Sequence, residues 1–360
     1  MRNARRRRRA FGATLFVLAL ATSACVENVT QTKVDEGRAP QDYLTPVGRF
    51  AVDVDRLWDL VFWGAIAIFV LVEALIVVAI LRFRERPDED DERLPKQVHG
   101  NPRLEALWTI IPAVILAAVA VPTVRTLFDL AEQPQDALRV NVIAHQWWWE
   151  YRYPDHEGLV TANILHIPAG RTVNLSLESV DVIHSLWVPK LAGKQDVVPG
   201  RTNFLKIHAD EPGEYLGQCA EYCGLSHANM RTRVIAMPPD EFDAWAEANA
   251  RPQEGEPEGE LAQRGRDIFF TGACVGCHTI RGTDASATVG PDLTYFGDRE
   301  WFAGTIFENT DENLREWLRD PPAMKPMMPD TGSGMPFLGL TEEEIDALVA
   351  YLQSLKTQPR

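Results

Sequence analysis

Two long apolar runs near the start of this 360-residue chain decide what it can fold into. Leu57 to Leu81 and Ala106 to Leu127 are each long enough for a membrane helix of about 20 residues. Glu73 is the one charge in the interior of the first run. A carboxylate at that depth costs about 2.5–3.5 kcal/mol on insertion scales, so it should meet a protein partner, be protonated or lie nearer the interface. Packing against another subunit is preferred over a proton-path role. Pro112 and Pro122 interrupt the second run, which membrane helices tolerate better than soluble ones. The loop from Arg82 to Arg103 carries six basic residues and is therefore expected on the cytoplasmic side. A two-helix transmembrane hairpin follows, with the N-terminus and everything after Phe128 outside.

Ahead of the runs, Arg2 and Arg5 to Arg9 precede a small apolar stretch, Phe11 to Thr22. Residues 1–24 read as a cleaved export signal. Thr22-Ser23-Ala24-Cys25 resembles a bacterial lipoprotein cleavage box, which would make Cys25 a lipidated first residue; an ordinary signal with an incidental cysteine is the alternative. The net charge of −15 argues against a nucleic-acid partner and suits a basic protein partner or simple solubility.

The texture changes after the second run. Arg139-Val-Asn-Val-Ile and Thr172-Val-Asn-Leu-Ser-Leu alternate apolar and polar residues, as half-buried strands do. Pro168-Ala-Gly, Pro199-Gly and Glu211-Pro-Gly punctuate them as turns, so residues 138–240 read as a β-sandwich or barrel. Residues 25–137 hold the N-terminal segment and the hairpin. A charged, Pro/Gly-rich linker spans 250–260. Residues 261–360 read as helical, and Thr341-Glu-Glu-Glu forms a capping box ahead of Ile345, Leu348, Val349 and Leu352.

Four of the five cysteines fall in two short motifs. Cys219-Ala-Glu-Tyr-Cys223-Gly-Leu-Ser-His227-Ala-Asn-Met230 packs two thiolates, an imidazole and a thioether into twelve residues, a soft donor set suited to copper. His184, in Asp181-Val-Ile-His184, is the natural further side-chain ligand if a loop between strands carries it over the cluster. A Cys219–Cys223 disulfide, structural zinc and single-cysteine blue copper compete with this reading; methionine is a poor zinc ligand and blue copper needs one cysteine. The second motif, Cys274-Val-Gly-Cys277-His278, is the C-x-x-C-H signature of covalent c-type haem attachment, although C-x-x-C also serves as a redox disulfide. Covalent haem places the domain outside the cytoplasm.

These residues carry a resemblance. Cys219-x-Glu221-x-Cys223-x3-His227-x2-Met230, the His184 segment, Ala144-His-Gln-Trp-Trp-Trp-Glu-Tyr and Leu107-Trp-Thr-Ile-Ile-Pro make residues 50–240 similar to subunit II of haem–copper cytochrome c oxidases. The resemblance implies a cupredoxin β-barrel holding a dinuclear copper centre. Cys219 and Cys223 would bridge two coppers, His184, His227 and Met230 would be terminal ligands, and the Glu221 carbonyl would be the sixth. The Glu221 side chain would touch a magnesium ion at the interface with subunit I. All six positions are intact, which disfavours the quinol-oxidase relatives. Trp147 would be the point where electrons enter the copper site, and Glu105 would lie at the cytoplasmic mouth of a proton pathway. His145 reads as a hydrogen-bonded structural residue.

Residues 261–360 are similar to class I cytochromes c, an all-α fold. The family would use Cys274 and Cys277 for thioether bonds and His278 as the proximal ligand. The distal ligand should be methionine, the pairing that raises the haem potential. Met335, in Gly334-Met-Pro-Phe-Leu just before the last helix, is chosen over Met328, with Met324 and Met327 behind. The whole therefore resembles a caa-type subunit II with a fused cytochrome c, in a bacterial plasma membrane. Its expected partners are subunits I and III and a cytochrome bc-type complex or small cytochrome c. From Arg251 on, 10 basic and 19 acidic residues suit a basic donor. A nitrous oxide reductase-like protein and a tethered copper chaperone are the competing readings. The hairpin and missing propeller count against the first, and the haem motif counts against the second.

Overall fold

A computed structural model describes residues 42–84, 97 and 99–357. Residues 1–24, read above as an export signal, Cys25 and most of the basic loop lie outside the described residues. Two helices come first, α1 (Arg49–Arg82) and α2 (Pro102–Ala131), and both are long and apolar enough to cross a membrane. Each runs past its apolar stretch. At the start of α1, Phe50 and Ala51 are buried, and Phe50 joins the core of the β domain. Lys206 Nζ lies 4.7 Å from the Phe50 ring centroid and donates to the Asp129 carbonyl near the end of α2 at 2.6 Å. Helix α2 opens on a reciprocal cap. The Asn101 side chain accepts from Leu104 N, and Glu105 Oε1 accepts from Asn101 N at 3.1 Å.

Ten strands form the second domain as two five-stranded sheets. They are β1 (Leu138–His145), β2 (Trp148–Arg152), β3 (Val160–Ala162), β4 (Ile164–Pro168), β5 (Val173–Ser179), β6 (His184–Trp187), β7 (Gln195–Val197), β8 (Asn203–Ile207), β9 (Gly213–Cys219) and β10 (Arg231–Met237). One sheet runs β3-β2-β1-β5-β8 and the other β4-β10-β9-β6-β7. Leu138, Val140, Val142 and Ala144 of β1 and Val173, Leu175 and Leu177 of β5 point into the core, as the alternation predicts. The Tyr151 hydroxyl meets Thr232 Oγ1 at 2.6 Å, satisfying a fully buried polar group between the sheets.

Helix α3 (Pro239–Ala250) closes the sandwich, and irregular chain from Arg251 to Gly259 leads to α4 (Glu260–Thr271). This stretch is partly anchored: Gln253 N donates to Arg281 O and Gln253 Nε2 to Thr294 O, both at 2.8 Å. The last domain continues through a two-strand hairpin, β11 (Trp301–Phe302) and β12 (Phe307–Glu308), then α5 (Asp311–Arg319), α6 (Pro321–Met324) and α7 (Glu342–Ser354). The capping box at Thr341 and Glu344 is formed. Phe269, Leu348, Tyr351 and Leu352 pack where α4 crosses α7, and helices dominate as expected, with the small hairpin added.

Candidate copper and haem sites

The register of two strands assembles the first site. Strand β6 begins at His184 and pairs with β9 so that Leu186 faces Cys219. His184 thus stands at a strand end rather than in the preceding loop. Cys219 N donates to Met230 O at 2.9 Å, closing the loop that carries the motif. Cys219 Sγ lies 3.7 Å from Cys223 Sγ, 3.9 Å from His184 Nδ1 and 3.2 Å from the Glu221 carbonyl oxygen. Cys223 Sγ lies 3.6 Å from His227 Nδ1 and 3.8 Å from Met230 Sδ. Both cysteines are free thiols, and Cys219, Cys223, His184 and Met230 are buried. The Glu221 side chain is exposed.

The electrostatics fit a cation between these donors. Contact with Cys223 lowers the Cys219 thiol well below the usual range, while the same contact and burial push Cys223 up. Two thiolates at this distance repel, and a bound cation is what lets both ionise. Asp181 Oδ1 sits 2.8 Å from His184 Nε2, which turns Nδ1 toward the sulfurs, as carboxylates do behind metal-bound histidines. Burial pulls the His184 imidazolium down, but Asp181 and Cys219 outweigh it and raise the group.

The second site is a cavity of about 820 Å³, lined by Cys274, Cys277, His278 and Met335 among apolar walls such as Phe269 and Leu348. That size and lining fit a large flat prosthetic group. His278 Nδ1 is 2.9 Å from the Pro291 carbonyl, so the proton sits there and Nε2 is left as a donor atom. Burial lowers the His278 imidazolium, keeping the ring neutral as a ligand must be. Gly290 leaves room for that ring: a Cβ there would lie 2.8 Å from His278 Cε1. Met335 and Met327 line the cavity, and Met328 and Met324 are not among its lining residues.

The tryptophans divide their work. Trp147 lies in the turn before β2, buried, with Nε1 donating to the Cys223 carbonyl at 3.0 Å. Trp149 is buried in the sandwich core. Trp148 stacks on His145 at 4.1 Å, and both rings line the haem-sized cavity. His145 Nε2 also meets Glu150 Oε2 at 3.1 Å. Sequence reasoning missed that the β domain walls the cavity. It also missed Lys325, a buried lysine whose Nζ donates to the Trp147 carbonyl at 2.7 Å and to Ala303 O at 3.1 Å. Lys325 and Trp147 lie 178 residues apart along the chain, so no local spacing signals the pair. Glu105 is far from both sites in sequence and caps α2.

Helical hairpin, β-sandwich with a two-thiolate pocket, and C-x-x-C-H domain with its cavity together define a membrane-anchored electron carrier. Known families match in the same order: cytochrome c oxidase subunit II, transmembrane domain, over residues 46–126; its periplasmic domain over 157–237; and cytochrome c over 262–356. Cytochrome c oxidase subunit 2 of Alkalihalophilus pseudofirmus is 43% identical over 294 residues, 80% of this chain and 82% of that one. Its counterpart in Bacillus subtilis is 34% identical over 338 residues, 88% and 92% of the two chains. The solved periplasmic domain of cytochrome oxidase subunit II from Bradyrhizobium japonicum is 28% identical, with a TM-score of 0.31 over 32% of this chain and 95% of that one. The chain belongs to the cytochrome c oxidase subunit 2 family, the second subunit of haem–copper oxidases, and its fused C-terminal cytochrome c domain fits the caa type.

Proposed function

We propose that this chain is the electron-accepting subunit of a proton-pumping terminal oxidase, receiving electrons at haem c and delivering them through a dinuclear copper centre to subunit I. The observation that carries this reading is the cluster around Cys219 and Cys223, with two imidazole nitrogens and a thioether each within 4 Å of one of the two sulfurs. Cys219 and Cys223 would bridge the coppers. His184, His227, Met230 and the Glu221 carbonyl would complete the set, and the exposed Glu221 carboxylate would reach a magnesium ion shared with subunit I. Cys274 and Cys277 would hold the haem covalently, His278 would be proximal and Met335 distal. Bound there, haem and copper would supply one-electron redox centres.

The protein's part is to hold these donors still and dry. Asp181 fixes the His184 ring, and Pro291 fixes that of His278. Trp147 fixes the Cys223 carbonyl from a buried position, consistent with a place on the route into the copper site. Glu105 is proposed at the cytoplasmic mouth of a proton pathway in addition to its cap. The finer organisation is part of the same proposal: a signal at 1–24, a lipid anchor on Cys25, and a multi-pass segment within 25–137. The sandwich at 138–240 and the cytochrome at 261–360 would lie on the outer face of a bacterial plasma membrane, joined by the linker at 250–260. Subunit III and a bc-type complex or basic cytochrome c are the proposed further partners, the donor drawn by the acidic last domain.

Metal analysis of the purified full chain tests the core reading. Two coppers and one covalent haem iron per chain, with one unpaired electron shared by both coppers in electron paramagnetic resonance, are expected. A single copper, or zinc, would sink it. Mass analysis of the mature N-terminus tests the anchor, since an acylated Cys25 should be the first residue and any other first residue rejects it.

A further inference from the structure

Gln146 sits between the two sites, in the turn joining β1 to β2. Its Oε1 accepts from Ser333 Oγ at 3.1 Å, and its Nε2 donates to the Cys223 carbonyl at 2.7 Å. The amide orientation follows from the partners, because a carbonyl can only accept while a hydroxyl can donate. Ser333 stands two residues before Met335. It is held in a tight loop by reciprocal bonds with Met328: Met328 N donates to Ser333 O at 2.9 Å, and Ser333 N to Met328 O at 3.1 Å. On the other side, Gly224 makes the close approach possible. Its φ is +112°, and a Cβ there would lie 3.1 Å from Gln146 Nε2 and 3.2 Å from Trp147 Cζ2. Trp147 Nε1 donates to the same Cys223 carbonyl, so two donors fix that group.

We propose that Gln146 is a positioning residue whose side chain braces the Met335 loop of the cytochrome domain against Cys223 of the copper loop, so that one amide sets the geometry of both centres. The proposal rests on the reading that Met335 and Cys223 are ligands. The brace itself exchanges neither a proton nor an electron. It works because each half of the amide is committed: the oxygen to one domain, the nitrogen to the other. Loss of the oxygen half leaves the Ser333 hydroxyl without this partner, and loss of the nitrogen half leaves the Cys223 carbonyl held by Trp147 alone.

Three variants of the full chain, assembled in its oxidase complex, separate the two halves. Ser333→Ala removes the haem-side bond alone. Gln146→Glu keeps an acceptor for Ser333 but sets a carboxylate oxygen against the Cys223 carbonyl. Gln146→Leu removes both bonds. Ser333→Ala should weaken the methionine–iron charge-transfer band and leave the copper resonance spectrum unchanged. Gln146→Glu should alter the copper hyperfine pattern and leave the band intact. Gln146→Leu should change both and slow electron equilibration between the sites. In the chain prepared without metals, hydrogen exchange at the Met328 and Ser333 amides should rise roughly three- to tenfold in Ser333→Ala and Gln146→Leu, the loss of about one hydrogen bond. Normal metal content with both spectra, the equilibration rate and the exchange rates unmoved in Gln146→Leu would overturn the proposal. If the unsubstituted chain lacked two coppers or covalent haem, the ligand reading would be what fails, and the exchange experiment would still decide the brace.

Discussion

Met335 and Met328 sit seven residues apart on one loop, and their surroundings separate them. Met335 lines the cavity and packs against the cytochrome core, whereas Met328 is 38% exposed. Met335→Ala should abolish the methionine–iron charge-transfer band and leave the haem high-spin or newly ligated, while Met328→Ala should keep the band. A band retained in Met335→Ala would move the distal role to Met327, the other methionine on the cavity wall. The clustering of side chains within a local motif was legible in the sequence. The spacing of Cys219, Cys223, His227 and Met230 brings the four together within one closed loop, and His184 reaches them from its own short segment. Gln146, Lys325 and Ser333 were not legible, because each acts through a partner in another domain. Their side chains are ordinary polar residues until the fold sets them beside a carbonyl.

At the scale of elements, the cytochrome domain depends on the crossing of α4 and α7, and one glycine permits it. A Cβ on Gly265 would lie 1.9 Å from the Ala347 carbonyl oxygen and 2.8 Å from Tyr351 Cβ. The clash is with backbone and a buried aromatic stem, so neither side can swing away. Gly265→Ala should cost about 3 kcal/mol, at the upper end for overpacking. For a domain of this size that is a fall of more than about 10 °C in the melting midpoint followed at the haem absorbance. A shift of less than about 2 °C would show that the helices can separate without harm. The need for a small residue here could not be read from one sequence, since Gly265 follows an unremarkable helical pattern. The capping box at Thr341 was legible because its chemistry is contained in four residues. Alternation located β1 and β5, and apolar length located the two long apolar helices. The polar ends of those helices were missed: one docks through Phe50, another meets Lys206 through the Asp129 carbonyl, and the start of α2 is held by the Asn101 cap, none of which apolar length signals.

The whole molecule behaves as two extramembrane domains fastened along a polar seam. Arg281 of the cytochrome domain donates to the carbonyls of Gly158, Asn249 and Ala250 and pairs with Asp292 at 3.3 Å. Arg281→Met should therefore free the chain between α3 and α4, seen as faster proteolysis within 251–259 with the haem spectrum retained; unchanged cleavage would show that the seam holds without it. Farther along lies His166, stacked on Trp245 at 4.0 Å, with Nδ1 buried and lacking a hydrogen-bond partner. Around it a pocket of about 300 Å³ is lined by Glu214, Arg281, Asp292, Asp298, Arg299 and Glu300 among others. Burial, with Arg299 adding repulsion, lowers the His166 imidazolium to about 3. An unfolded histidine titrates near about 6.5. Between those values the unfolded chain binds a proton that the native one refuses, so stability is intact above about pH 6.5 and declines as the pH falls toward 3. The loss is on the order of 4–5 kcal/mol across that window. His166→Phe keeps the stack on Trp245 and removes the titrating nitrogen, so its denaturation midpoint should stay flatter from pH 6.5 to 4 than that of the unsubstituted chain. Equal acid slopes in the two proteins would assign the sensitivity to other groups along the seam.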